Sequence, residues 1–182
     1  MKPTTSFVIF ALDAHLFALE LTSIHRVVRA SEVTPLPHAP PVIMGVINVQ
    51  GKLFPVVNLR HRFRLPEREI MPSDQFILVD RTEAQVTPSQ FAQSMQSQSS
   101  TLPSVMPPIG RRLALAVDSV MDIRTFNADE LVVGDELIPH LEHVQGVAKI
   151  ADTLILIQDL DRCLSLHEER MLDDALAKIS AR

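Results

Sequence analysis

The sequence predicts an all-β protein built from two small five-stranded barrels packed together. Two observations predict it. Blocks of sequence recur in the same order about a hundred residues apart, and each copy breaks into short β-prone runs with no long helix between them.

The recurrence is visible residue by residue. Phe17-Ala18-Leu19-Glu20-Leu21-Thr22-Ser23-Ile24 aligns with Leu113-Ala114-Leu115-Ala116-Val117-Asp118-Ser119-Val120, 96 positions on. Gly45-Val46 aligns with Gly146-Val147 at 101 positions, and without a gap Leu53–Val56 falls on Leu154–Ile157 and Asn58-Leu59 on Asp159-Leu160. The chain therefore divides into two related halves, about 6–65 and 74–164.

Each half reads as strands in the same sequence. Ser6–Leu12 and Gln75–Val79 open the halves as apolar runs. Phe17–Leu21 and Leu113–Val117 alternate as half-buried strands do. Thr22-Ser23 and Asp118-Ser119 interrupt, because their side chains bond nearby backbone. Ile24–Arg29 and Met121–Phe126 resume. Last come hairpins, Val46–Val49 with Leu53–Val57 around Gln50-Gly51, and Val147–Ile150 with Thr153–Ile157 around Ala151-Asp152. Gly51 supplies the positive φ of a tight hairpin turn. Pro55 lacks a ladder donor, which predicts an edge strand open to pairing with another barrel. Strands can also be exchanged between the two lobes.

Three segments stand outside this plan. Thr34–Pro41 is extended, then starts a short helix at its prolines. Residues 82–110 form a Gln/Ser/Pro-rich flexible loop with one acid and no base, whose Phe91, Met95 and Met106 could fold onto a surface. Residues 165–180 form a C-terminal helix. Ser165 and Glu168 make its capping box, and Leu172, Ala175, Leu176 and Ile179 its apolar stripe, which either closes the core or docks a partner.

Composition excludes several classes. Residues 1–81 carry nine Lys/Arg against seven Asp/Glu, and residues 82–182 eight against fifteen, so no broad basic face is offered to a duplex. No run approaches a membrane span, and the N-terminus lacks the features of a signal peptide. The single Cys163 fits a reducing compartment and a buried spacer role. The five glycines spell no nucleotide-binding motif. His167-Glu168 begins a metalloprotease pattern that Met171 ends, and His140 and His143 lack a third ligand. Asp118, Asp122, Asp159 and Asp161 each follow a strand, where turn-forming acids are routine. The basic run Arg60-His61-Arg62-Phe63-Arg64, with Arg68 beyond, is read as a solvated loop, a protein contact or a weak nucleic-acid footprint.

Gly45-Val46-Ile47-Asn48-Val49-Gln50-Gly51-Lys52-Leu53-Phe54-Pro55-Val56-Val57-Asn58-Leu59-Arg60 resembles the signature G-V-x-N-L-R-G-x-x-x-P-V-x-D-L-R of CheW, the chemotaxis coupling family. Phe17-Ala18-Leu19, Thr34-Pro35-Leu36-Pro37, Leu113–Asp122 and Gly146–Leu164 are similar to other blocks of that family. The resemblance covers about residues 6–176, taken as a single CheW-like domain. It implies two interlocked five-stranded SH3-like β-barrel lobes with short helices and a C-terminal helix, no enzymatic activity and no cofactor or metal. It further implies a scaffold coupling the cytoplasmic tip of a chemoreceptor to the regulatory domain of a CheA-type histidine kinase, in the cytoplasm at the inner face of the membrane, without inserting into it or binding nucleic acid. By matching positions, the receptor-facing groove runs near Ile24, Val27, Gly45, Asn48, Gln50 and Gly51, and a kinase or array contact near Leu53, Pro55, Val57, Arg60 and Arg62. Gln50 replaces the family's usual Arg, which removes a fixed charge from the receptor contact. Alternative readings are a CheW-fold adaptor of a non-flagellar pathway with a different receptor, a CheV-like relative (disfavoured because no receiver domain follows), a hydrolase or metal enzyme, and a small-barrel binder of single-stranded nucleic acid.

Overall fold

The computed structural model describes residues 4–80, 112–133, 144–150 and 153–180. Eleven strands run in chain order as β1 (Thr4–Leu12), β2 (His15–Glu20), β3 (Ile24–Arg29), β4 (Ile43–Val49), β5 (Lys52–Asn58), β6 (Gln75–Asp80), β7 (Arg112–Val117), β8 (Ser119–Asn127), β9 (Leu131–Val133), β10 (Val144–Ile150) and β11 (Thr153–Gln158). Two helices accompany them, α1 (Leu59–Arg62) and α2 (Leu166–Ser180).

The strands form two sheets, ordered β3-β6-β7-β5-β4 and β8-β1-β2-β11-β10-β9. The first closes where Thr34 and Val46 exchange backbone hydrogen bonds of 2.9 and 2.8 Å. In the second, β8 turns through the 3-10 segment Ala128–Glu130 into β9, which pairs with β10. Each barrel thus draws strands from both halves of the chain. β1 and β2 belong with β8–β11, while β6 and β7 belong with β3–β5.

Shifting by the sequence repeat maps one barrel on the other. β3, β6, β7, β5 and β4 correspond to β8, β1, β2, β11 and β10, the same spatial order. Even the parallel registers agree: Val56 pairs with Ala114 in one barrel, and Ile157 with Ala18 in the other. The bridge Thr34↔Val46 has its counterpart in Val132↔Val147, where Val147 stands 101 positions after Val46.

Three apolar clusters result. Ile47, Phe54, Val56, Phe76, Leu78 and Ala114 fill the first barrel, and Phe7, Ile9, Ala18, Phe126, Ile155 and Ile157 the second. The third lies between the barrels, where Phe10, Phe17, Leu19, Ile77, Leu113 and Leu115 meet Leu172, Ala175 and Leu176 of α2. β2 and β7 are therefore buried on both faces. Their repeated large-small-large pattern follows, because the small alanine points into a narrow barrel while its neighbours fill the inter-barrel core.

Several expectations are corrected here. β5 is not an edge strand: it lies between β7 and β4. Pro55 is tolerated for another reason. Val46, opposite it, turns its own N–H and C=O away toward Thr34, so the pair makes no ladder bonds. The Pro55 backbone then faces the β7 side, where pairing begins only at Val56. The helix expected at Pro40-Pro41 is a pair of turns, closed by Ala39 N–H to Leu36 O (3.3 Å) and Ile43 N–H to Pro40 O (2.8 Å), with His38 at φ 65°. The loop expected after β5 begins with α1, capped by Asn58 Oδ1, which accepts from the His61 N–H. Ile179, expected on the buried stripe of α2, is 39% exposed. The expected loop over residues 82–110 lies outside the described residues.

Candidate functional site

The sequence-predicted receptor contact sits on the outer side of the first barrel. A bulge between Ile24 and Arg26 lets Ile24 and Val27, three residues apart, both lean toward the inter-barrel core while Val28 enters the barrel. On β4, Val46 faces the inter-barrel side and Ile47 and Val49 the barrel interior, so Asn48 shares the face of Val46. Ile24 and Val27 are half-buried; Asn48, Gln50 and Gly51 are exposed.

The tip that carries the polar part of this strip is a two-residue turn. Val49 pairs with Lys52, and Gln50 and Gly51 have φ of 54° and 80°, as a type I′ turn requires. Asn48 Oδ1 accepts the Gly51 N–H at 2.8 Å, which orients its own side chain across the turn. Gly45 is buried and offers no side chain to a partner. Its role is steric: a Cβ there would stand 2.2 Å from the Thr34 carbonyl oxygen, so glycine permits the bridge that closes the barrel.

The second predicted group divides. Leu53 is half-buried and lies directly opposite Asn48, on the same outward face, so it joins the first strip rather than making a separate one. Pro55 is buried, and Val57 is fully buried between the barrels. The two arginines are turned inward. Arg62 donates to Glu168 Oε2 at 2.6 Å, tying α1 to the first turn of α2, where Ser165 and Glu168 form the expected capping box.

Arg60 is the centre of a charge network, and its side chain is only 8% exposed. It grips Asp13 through two bonds of 2.8 Å, Asp118 through two of 2.9 and 2.7 Å, and the Pro66 carbonyl at 2.9 Å. Asp118 Oδ1 also accepts from Arg68 at 2.8 Å, and Asp118 Oδ2 accepts the Asp13 backbone N–H at 2.7 Å. Arg68 completes a bidentate pair with Asp74, both bonds 2.8 Å. Asp13 lies in the β1–β2 turn of the second barrel. Asp118 lies where the chain passes from β7 to β8, and Arg60, Arg68 and Asp74 follow β5. The network thus joins the two barrels.

Electrostatics follow the geometry. Hydrogen bonding to Asp13 is the largest influence on Arg60 and, despite burial, raises its pKa further. Burial opposes ionisation of Asp118, but hydrogen bonds from Arg60 and from the Asp13 N–H outweigh it and hold the carboxyl below its ordinary range. Asp74 is lowered in the same way by Arg68 and the Met71 N–H. Glu168 is lowered by the Ser165 N–H and Arg62 against the same opposition. Sequence reading weighed Asp118 only as a turn former. The signal for more was the nearby basic run, but nothing local says which base turns inward.

Other candidates resolve without chemistry. Asp122 pairs with Arg124, and Asp159 caps the turn at Asp161 and Arg162. Cys163 is fully buried in the inter-barrel core. Among the described residues no group of three metal-ligating side chains gathers, and no helix is long and apolar enough to cross a membrane. His140 and His143 lie outside the described residues.

Comparison with known proteins agrees on one family. The CheW-like domain model matches residues 6–168. The chain is 21% identical over 165 residues to the chemotaxis protein CheW of Treponema pallidum, covering 91% of this chain and 85% of that one. It is also 21% identical over 170 residues to the CheW of Klebsiella aerogenes, covering 92% and 86%. The scaffolding protein TtCheW from Thermoanaerobacter tengcongensis superposes with a TM-score of 0.69 at 22% identity, covering 92% of each chain.

Proposed function

The chain belongs to the CheW-like domain family, and on that premise we propose that it is a non-catalytic adaptor coupling chemoreceptors to a CheA-type histidine kinase in a chemosensory array. The observation that carries this reading is the family match over residues 6–168, which runs through both barrels. Residues 6–176 then act as one unit, working in the cytoplasm beside the receptor-bearing membrane.

The receptor's cytoplasmic tip docks on the strip of Ile24, Val27, Asn48, Gln50 and Leu53. An apolar floor with a polar hairpin at its end suits a helical surface that is apolar at its centre and wet at its rim. Gly45 and Gly51 shape this strip through the backbone, and Pro55 and Val57 belong to β5, the strand paired with β4. Arg60 and Arg62 act elsewhere, as ties between the barrels and between the helices. Gln50 gives this chain a neutral, hydrogen-bonding tip where the family usually has a cation, so its affinity for the receptor should depend little on salt.

Calorimetric titration with a receptor-tip fragment and with the regulatory domain of a CheA-type kinase, both from the same genome, tests the assignment. Binding to both is expected, and Val27→Asp should weaken receptor binding by at least about tenfold, since it puts a charge into a desolvated contact. Receptor affinity indifferent to V27D in a folded protein would remove the strip from the interface.

A further inference from the structure

A second surface lies beyond the C-terminal end of β3. While Val27 leans between the barrels, Val28 and Ala30 face the interior of the first barrel. Beyond Ala30 the chain runs out through residues 31–35, and it returns toward β6 through residues 69–72. An open groove of about 750 Å³ lies between these two segments. Val33, Met44 and Ile70 are half-buried on the first barrel's core and form its floor, and Met71 stands above them 52% exposed. Two flexible thioethers over an aliphatic floor can adjust to the shape of an inserted side chain.

The charges around it are one-sided. Glu32 and Glu69 both line the groove and are exposed, and among the described residues no Lys or Arg lines it. Neither carboxylate has an ion-pair partner among the described residues, whereas nearby Asp13, Asp74 and Asp118 are all held by arginines. The surface is therefore satisfied inside and unsatisfied at this rim. Its complement is a segment presenting an apolar side chain flanked by Lys or Arg.

We propose that this groove is a second docking surface, and that it takes such a basic-apolar segment of the kinase regulatory domain. The inference rests on the adaptor reading above and assigns the kinase side of it. The groove and the strip of Ile24, Val27, Asn48, Gln50 and Leu53 share no lining residue, so neither partner needs the other's contacts, as a coupler requires. The β5 group expected to meet the kinase is largely internal, which leaves that partner to another surface.

The test compares the unaltered chain with E32K/E69K by calorimetry, against the kinase regulatory domain and, separately, the receptor-tip fragment. Reversal should weaken kinase binding by about tenfold or more, leave receptor binding within about twofold, and abolish the loss of kinase affinity that added salt causes in the unaltered chain. Both side chains are exposed and unpaired, so the melting temperature should not move; if it falls, the isosteric pair E32Q/E69Q replaces the reversal, with a smaller loss of kinase binding expected. Kinase binding unchanged by a folded variant, or receptor binding falling in parallel, overturns the groove alone. An unaltered chain that binds neither probe overturns the groove and the adaptor reading together.

Discussion

Arg60 shows what a single residue contributes. Its guanidinium satisfies Asp13 and Asp118, which lie 47 and 58 positions away in sequence. Replacing it with Met leaves Asp13 without its guanidinium and Asp118 with Arg68 as its remaining cation. Breaking a buried pair costs about 3–5 kcal/mol, but Asp13 is 42% exposed and rehydrates, so R60M should cost about 2 kcal/mol. Arg60→Lys should recover only part, because an ammonium cannot grip both carboxylates with a planar fork. Urea denaturation reads both, and R60M within about 0.5 kcal/mol of the unaltered chain would contradict the assigned role. The same network fixes a pH dependence. Asp118, Asp74 and Glu168 have folded pKa values below their ordinary values of 3.8, 3.8 and 4.5. Their stabilisation is therefore complete above those values and is lost as pH falls through the lower folded ones. Unfolding free energy should drop between about pH 5 and pH 3, and D118N, already weaker at neutral pH, should lose less over that range. An identical acid loss in both proteins would place its origin elsewhere. The basic run was legible in the sequence; which of its members turns inward was not, because the deciding carboxylates are remote.

At the scale of elements, local pattern and long-range pairing divide the credit. Ten strands were legible because their side chains alternate or form β-prone runs, and β3 runs from Ile24 to Arg29 as the residues suggest. The three-residue β9 was not, since Leu131–Val133 is too short to show a period and is a strand only because β10 lies beside it. Pro55 misled for a related reason: a proline reports a missing donor but not which neighbour would have received it. In α2 the cap and the buried face were legible, while Ile179 lies where the helix has run past the core. That helix also carries a surplus of acid. Asp173 has its pKa raised by burial first, then by Glu169 and Asp174. A raised carboxyl works against the fold above its ordinary pKa, opposite in sign to Asp118. Asp173→Asn should therefore stabilise the protein at neutral pH by about 0.3 kcal/mol, the size of one relieved like-charge pair a turn apart. The gain should vanish in acid, where both forms are neutral, and a lower melting temperature for D173N at pH 7 would show that Asp173 has a partner worth more than the repulsion.

At the scale of the molecule, the duplication was readable in the residues, whereas the interlocking of the two barrels came from the family resemblance and not from local pattern. Each half repeats the same strand pattern, so local sequence is equally compatible with two barrels in series or two that trade strands. The structure trades them. β7 sits between β6 and β5 of the first barrel, and β1 and β2 sit between β8 and β11 of the second. Neither half of the chain can close a barrel, and the inter-barrel core adds Phe10, Phe17, Leu113 and Leu115 from both halves beneath α2. The arrangement predicts one cooperative unfolding event, with calorimetric and van't Hoff enthalpies equal, although two barrels are present. It also predicts the behaviour of fragments. Residues 1–80 hold β1–β6, and residues 81–182 hold β7–β11 with α2. Each alone lacks an interior strand of a barrel it must build, so neither should show slow amide exchange. Mixed at equal concentration, they should assemble into a one-to-one complex with the spectrum and the partner binding of the intact chain. Slow folding is expected, since most pairings join distant segments. A first fragment that folds alone would mean that β3–β6 form a stable sheet without β7, and the two barrels would then be independent units sharing a chain.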